Sequence, residues 1–343
     1  MRFPNYPVQI MRKLTCLLFG INLGLISLAA GAGVADVDPS LPGYQPQGAL
    51  RGELHSVGAD VMDDLTMGWI KLFRATHPKV AVTMEARAPG TAIPALVNGW
   101  GQLGPVAREL FPFEEEQFVE KFGYKPTVIR VATASFDQPG TAQTIVFCVN
   151  EKNPITALTF AQVREIFGKD GAITKWGQLG LTGDWAERPI ELWGLKQQTG
   201  VANYLKLRVM NGREFRSGIN ERVNQDDINA QDTITTGVAA ARYALGYARL
   251  GSLRSGVKAL ALAEQTGNTP MAPTLENVVS HRYPLGRFIY IYVNRPPGKP
   301  LDPNVREFLR LVLSREGQEI VARQGLYLPL NAAIVAEERA KLE

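Results

Sequence analysis

Three histidines, His55, His77 and His281, are the only imidazoles in 343 residues, and they lie far apart along the chain. Metal sites and histidine acid–base chemistry need several such groups at recurrent spacing, so neither is expected here. Gly99-Trp-Gly101-Gln-Leu-Gly104 has the G-x-G-x-x-G form of a dinucleotide loop, but it follows a helical stretch instead of opening one. That order removes the helix N-terminus on which a pyrophosphate would sit. Ser255-Gly-Val-Lys258 has S-x-x-K spacing without the S-D-N and K-T-G companions of an acylating serine. Acidic neighbours at Asp63/Asp64 and Glu114–Glu116 fall in helical first turns, where carboxylates complement the helix dipole, and Asp226/Asp227 reads as a solvated turn. No Walker A, H-E-x-x-H, EF-hand or G-x-S-x-G pattern occurs. No catalytic residue, metal ligand or cofactor is therefore assigned, and the chain reads as a binding protein instead of an enzyme.

Loops that bind ligands need a scaffold, and the sequence alternates strand and helix signals throughout. Strands are expected at Glu53–Ser56, Val80–Met84, Val128–Ala132, Thr144–Val149, Ile190–Trp193, Leu245–Tyr247, Lys258–Ala261 and Phe288–Val293. Helices are expected at Val61–Thr76, Thr91–Trp100, Thr159–Phe167, Thr199–Asn211, Asp232–Tyr243, Thr274–Ser280, Asn304–Ser314 and Glu316–Arg323. This alternation predicts an α/β fold with mostly parallel sheets covered by helices. In such sheets ligands sit beyond the carboxyl ends of strands, where the following helices present free N–H groups.

Composition narrows the class. With 45% hydrophobic and 20% charged residues, the chain is an ordinary globular protein long enough for two domains. Arg2, Arg12 and Lys13 fall within the first 35 residues, which hold no acid, so the remainder carries 34 basic against 33 acidic groups. A chain so close to neutrality lacks the broad basic surface used for non-specific nucleic-acid binding. Arg12 and Lys13 precede an apolar run from Leu14 to Ala30, followed by small residues up to Ala35: the layout of a cleaved secretory signal at residues 1–35. Met11 begins a shorter version of the same leader, and the run sits at the lower edge of what spans a bilayer, so an uncleaved anchor is the alternative. Cys16 would leave with the leader, and Cys148 lies in the apolar run Thr144–Val149, so no internal disulfide is expected. Residues 36–47 read as an extended lead-in.

Several segments together resemble one family. Ser56-Val-Gly-Ala-Asp-Val-Met62, Gly104-Pro-Val-Ala-Arg-Glu109, Gly123-Tyr-Lys-Pro126 and Asn150-Glu-Lys-Asn-Pro154 look like landmarks of periplasmic phosphate-binding proteins of ABC transporters. Thr174-Lys-Trp-Gly-Gln-Leu-Gly180, Tyr283-Pro-Leu-Gly-Arg-Phe288, Tyr290-Ile-Tyr-Val-Asn294 and the stretch from Gly298 to Gln318 continue the match in order. The resemblance implies a two-lobed, type 2 periplasmic binding protein fold. Lobe one would be residues 48–133 plus 282–343 and lobe two 134–281, hinged near Ala132–Gln143 and Arg282–Phe288.

Four loops supply anion donors in the resembling family, and each can be compared here. Gly58-Ala59-Asp60-Val61 stands for Gly-Ser-Asp-Thr; Pro89 and Gly90 precede Thr91 where paired serines are usual. Ala107 replaces the serine of a Ser-Arg pair while Arg108 stays, and Leu195-Lys196-Gln197-Gln198-Thr199-Gly200-Val201 loses an arginine and a threonine of Arg-Asn-x-x-Ser-Gly-Thr. The ligand-binding set carried over is Gly58, Ala59, Asp60, Val61, Gly90, Thr91, Arg108, Lys196, Thr199, Gly200 and Val201. Lys196 stands near the lost guanidinium, though a lysine is not geometrically equivalent to a bidentate arginine. Each hydrogen bond to a charged group contributes about 1.5–3 kcal/mol, so the lost hydroxyls bear directly on affinity.

The expectation is a monomeric periplasmic solute-binding protein that captures phosphate or a related small anion and hands it to an inner-membrane ABC permease in a Gram-negative bacterium. Two alternatives follow from Ala59, Val61, Ala107, Leu195 and Val201. One is a sensor or protein-interaction component on the same fold; the other is a receptor for a less charged organic solute, which Trp100, Trp176, Trp193 or Tyr247 facing the cleft would favour.

Overall fold

The computed structural model describes residues 36–225 and 229–343, so the leader and Asp226/Asp227 lie outside the described residues. The first half of the chain gives β1 (Gly52–Ala59), α1 (Asp63–Thr76), β2 (Val80–Arg87), α2 (Ala92–Asn98), β3 (Gly104–Val106), α3 (Pro112–Phe122), β4 (Thr127–Thr133), β5 (Ile145–Asn150), β6 (Ala157–Thr159) and α4 (Phe160–Phe167). The second half gives β7 (Glu191–Leu195), α5 (Gly200–Arg208), β8 (Asn220–Arg222), α6 (Ala230–Ala240), β9 (Ala244–Arg249), β10 (Val257–Ala259), β11 (Ala261–Ala263), α7 (Leu275–Val279), β12 (Phe288–Val293), α8 (Pro303–Val312), α9 (Arg315–Gln324) and α10 (Ala332–Ala340). Among the described residues, no helix is long and apolar enough to cross a membrane.

Local chemistry explains most boundaries. Thr159 caps α4, its Oγ1 accepting from the Gln162 N–H while the Gln162 side chain accepts from the Thr159 N–H. Asp302 and Ser314 cap α8 and α9 through their side-chain oxygens alone, which accept from first-turn N–H groups, and Pro303 opens α8, where its missing N–H costs nothing. Gly99, at φ 71°, ends α2 in the left-handed conformation. The G-x-G-x-x-G match is thus a helix stop followed by β3.

Two large apolar cores form. One gathers β1, β2, β4, β12, α1 and the C-terminal helices around Trp69, Phe73 and Phe308; the other gathers β5, β7, β9 and their helices around Phe147, Phe167, Trp176 and Tyr247. Both belong to one compact unit. The first core's strands run β2-β1, joined to β3-β12-β4 through a parallel bridge between Ser56 and Leu103. The second core's sheet runs β10-β5-β9-β7-β8.

Each sheet is parallel apart from one reversed strand. In the first, β12 runs antiparallel to both β3 and β4; in the second, β5 runs antiparallel to both β9 and β10. These are the strands that the chain enters on arriving from the other core, between β4 and β5 and between α7 and β12. The two crossing segments touch, with the Ala134 N–H donating to the Arg287 carbonyl at 2.8 Å and the Ile145 N–H to the Leu285 carbonyl at 3.3 Å. The lead-in lies along the first core: Leu41 is buried, and the Arg315 N–H donates to the Pro42 carbonyl.

Candidate functional site

A cavity of about 340 Å³ opens beside the two crossings. Its walls come from the carboxyl ends of parallel strands: Val61 just after β1, Ala107 and Arg108 after β3, Leu195 ending β7, and Arg249 ending β9. The reversed strands contribute their amino ends, Gly140–Ala142 ahead of β5 and Arg287 ahead of β12. The reversal of β5 and β12 therefore points both crossings at the same space as the four forward strands.

The helix α5 enters this space by its N-terminus. Thr199 caps it, accepting from the Ala202 N–H at 3.3 Å and donating to the Lys196 carbonyl at 2.8 Å. By position the Gly200 and Val201 N–H groups have no intrahelical acceptor, and both residues line the cavity. Gly200 fits because a Cβ there would stand 3.3 Å from the Arg108 side chain that reaches over from the first core.

Three guanidiniums converge on the cavity, each in a different electrostatic state. Arg108 forms a bidentate pair with Glu114 at 2.7 and 2.8 Å, lies over the Phe111 ring, and also donates to the Glu109 carbonyl. Arg287, buried, pairs with Glu109 at 2.9 Å and stacks over Tyr204, while the Tyr290 hydroxyl donates to the second Glu109 oxygen. The Arg287 Nε meets no acceptor among the described residues. Arg249 makes no ion pair with any described residue, and its buried Nε also lacks an acceptor. Burial and the neighbouring Arg287 charge lower its pKa, with Asp232 opposing them.

The remaining lining is mostly aliphatic: Val61, Pro89, Ala142, Leu195, Val201 and Val223, with Thr141, Asn224 and Gln231 as polar members. Gln231 also accepts from the Arg249 N–H at 2.9 Å. Behind Leu195 stands Tyr247, whose hydroxyl donates to the Leu195 carbonyl and accepts from the Leu195 N–H, both at 3.0 Å.

Of the loop residues read from sequence, Val61, Arg108, Thr199, Gly200 and Val201 line this cavity, whereas Gly58, Ala59, Asp60, Gly90, Thr91 and Lys196 do not. Asp60 accepts from the Val61 N–H and faces a neighbouring recess with Asp63 and Asp64. Gly58 is needed for packing, since any Cβ there would overlap the Pro105 backbone. Thr91 donates to the Ala88 carbonyl, and the Lys196 side chain is exposed. Trp100 is 68% exposed, Trp176 and Tyr247 are core residues, and Trp193 lies under Arg222 in a separate recess, so no tryptophan or tyrosine lines the cavity. Arg249, Arg287 and Glu114 were not singled out as site residues from sequence. The usable signal was a lone arginine closing the apolar strand Ala244–Ala248, where α/β sheets place ligands.

Comparison with known protein families matches the PBP superfamily domain over residues 44–316. The phosphate-binding protein PstS of Pseudomonas aeruginosa is 35% identical over 96% of this chain and 98% of its own length. The chain belongs to the PstS family of the PBP superfamily. SphX of Synechococcus elongatus is 25% identical over 87% of this chain and 84% of its own. Among solved structures, PstS from Borrelia burgdorferi superimposes with a TM-score of 0.55 at 20% identity, covering 82% of this chain and all of that one. A phosphate transport receptor from Vibrio cholerae gives 0.52 at 19% identity, covering 80% and 99%. The type 2 periplasmic binding protein fold is thus shared with the PstS family across nearly the whole chain.

Proposed function

We propose that the protein is the exported receptor of an ABC transporter, taking a phosphate-type oxyanion into the cavity between its two cores and passing it to a membrane permease. The observation that carries this reading is the convergence of Arg108, Arg249, Arg287 and the α5 N-terminus on one space. The name of the Pseudomonas relative supports the choice of anion, and the leader at residues 1–35 supports a periplasmic destination. Residues 48–133 with 282–343, and 134–281, act as two lobes that close about the crossings at Ala134–Thr144 and Ser280–Arg287.

The test is calorimetric titration of the purified protein with phosphate, sulfate and simple phosphonates, after unfolding and refolding to strip any carried ligand. Saturable binding of at least one of these supports the reading. No heat and no thermal shift with any of them at millimolar concentration refutes it.

A further inference from the structure

Two of the three guanidiniums that line the cavity are already engaged by carboxylates. Arg108 is held by Glu114 and Arg287 by Glu109, each through a carboxylate on its own side of the cleft. Among the described residues that leaves Arg249 as the one cavity guanidinium without a carboxylate partner. Its Nε and that of the buried Arg287 are also the two buried side-chain donors of the cavity lining that meet no acceptor among the described residues. The same cavity is lined by the aliphatic residues Val61, Ala142, Leu195, Val201 and Val223, and no aromatic residue is among its lining. A cavity of about 340 Å³ falls within the range of organic-ligand pockets.

We infer that the ligand is a singly charged oxyanion bearing a short aliphatic substituent, with its head on Arg249, the Arg287 Nε and the α5 N-terminus and its substituent against the Val61–Leu195–Val201 wall. Arg249 is then the residue that sets specificity. It supplies from the end of β9 the charge that the third and fourth loops no longer provide freely. This inference rests on the receptor reading above and names its ligand class. An alkylphosphonate monoanion and a short aliphatic carboxylate share the required chemistry.

The experiment titrates the purified protein with phosphate, methylphosphonate, propylphosphonate and butyrate. Propylphosphonate binds more tightly than methylphosphonate by about fourfold for each methylene buried, and more tightly than phosphate. Butyrate binding more tightly than propylphosphonate assigns the head group to carboxylates; weaker binding assigns it to phosphonates. Arg249→Gln weakens the best ligand by about 10- to 150-fold while leaving near-ultraviolet circular dichroism unchanged, and Arg249→Lys recovers part of the loss. Val61→Thr, a nearly isosteric change at an exposed position of the cavity rim, shifts preference back toward phosphate. If phosphate binds at least as tightly as propylphosphonate and Arg249→Gln leaves its affinity within twofold, the inference is overturned while the receptor reading stands. If phosphate, the phosphonates and butyrate all fail to bind, the receptor reading falls with it.

Discussion

Glu114 restrains Arg108, so removing its charge should move stability and anion affinity in opposite directions. The carboxylate is almost fully buried and accepts from Arg108 at 2.7 and 2.8 Å and from the Phe111 N–H at 2.8 Å. Breaking a buried pair by removing one partner costs about 3–5 kcal/mol. In Glu114→Gln an amide oxygen in the place of Oε2 still accepts two of the three bonds and Arg108 reaches solvent through the cavity, so the expected loss is about 2–3 kcal/mol. That corresponds to a fall in Tm of about 3–5 °C for a protein of this size. The freed guanidinium then faces the cavity without a carboxylate, and one more charge-assisted contact strengthens anion binding by about tenfold or more. Thermal unfolding with and without saturating anion, together with calorimetric titration, reads both quantities on one sample. The apo Tm falls while the ligand-induced rise in Tm grows. Affinity that weakens along with stability would refute the view that Glu114 withholds Arg108 from the ligand.

Tyr247→Phe keeps the ring in the core but strips both bonds to the Leu195 backbone, so a loss of about 1–3 kcal/mol in denaturant unfolding is expected, with weaker anion binding because Leu195 is cavity wall. Burial, with a smaller contribution from Arg130, depresses the His281 pKa to about 4 from 6.5. The unfolded chain therefore binds the extra proton first, and this stability is complete above about pH 6.5 and lost as the pH falls toward 4, by at most about 3 kcal/mol. Because His281 sits at φ 56°, His281→Asn preserves the backbone; unfolding free energy measured from pH 4 to 7 should then show a shallower slope, and an unchanged slope would reject the assignment. Burial pushes the Cys148 thiol up to about 12, so a thiol reagent at pH 8 labels it only after unfolding; prompt labelling of the native protein would contradict its place in β5.

The fold was legible where apolar periodicity was long. The runs at β5 and β12, and the spacing of Leu65, Trp69 and Phe73 in α1, each specify one burial pattern. Short or polar elements escaped: β3 has three residues, β8 is Asn-Glu-Arg, and both exist because neighbouring strands pair with them. The helix α10 starts at Asn331, whose side chain accepts from the Ile334 N–H, a start signal that stands in the sequence without a long apolar period behind it. At the site, Val61, Arg108, Thr199, Gly200 and Val201 stood in loops whose landmarks survive in the sequence. Arg249 and Arg287 did not stand out, because their significance arises from convergence across two sheets, and the Glu114 pairing likewise depends on how α3 packs beside β3.

The reversed strand β12 also governs the order in which the chain can assemble. Its partners β3 and β4 are made early, but the strand that fills the slot between them, and the helices α8 to α10 that close the same core, come last in the sequence. The second core is almost entirely continuous in sequence, from Ile145 to Leu285, so it can consolidate as soon as that stretch is available. A chain emerging N-terminus first therefore passes through a stage in which β3 and β4 have unpaired edges and the surface around Trp69 and Phe73 is uncovered. Non-local closure of this kind is slow and exposes sticky edges. The same topology that aims both crossings at the ligand makes the first core the aggregation-prone half during biogenesis.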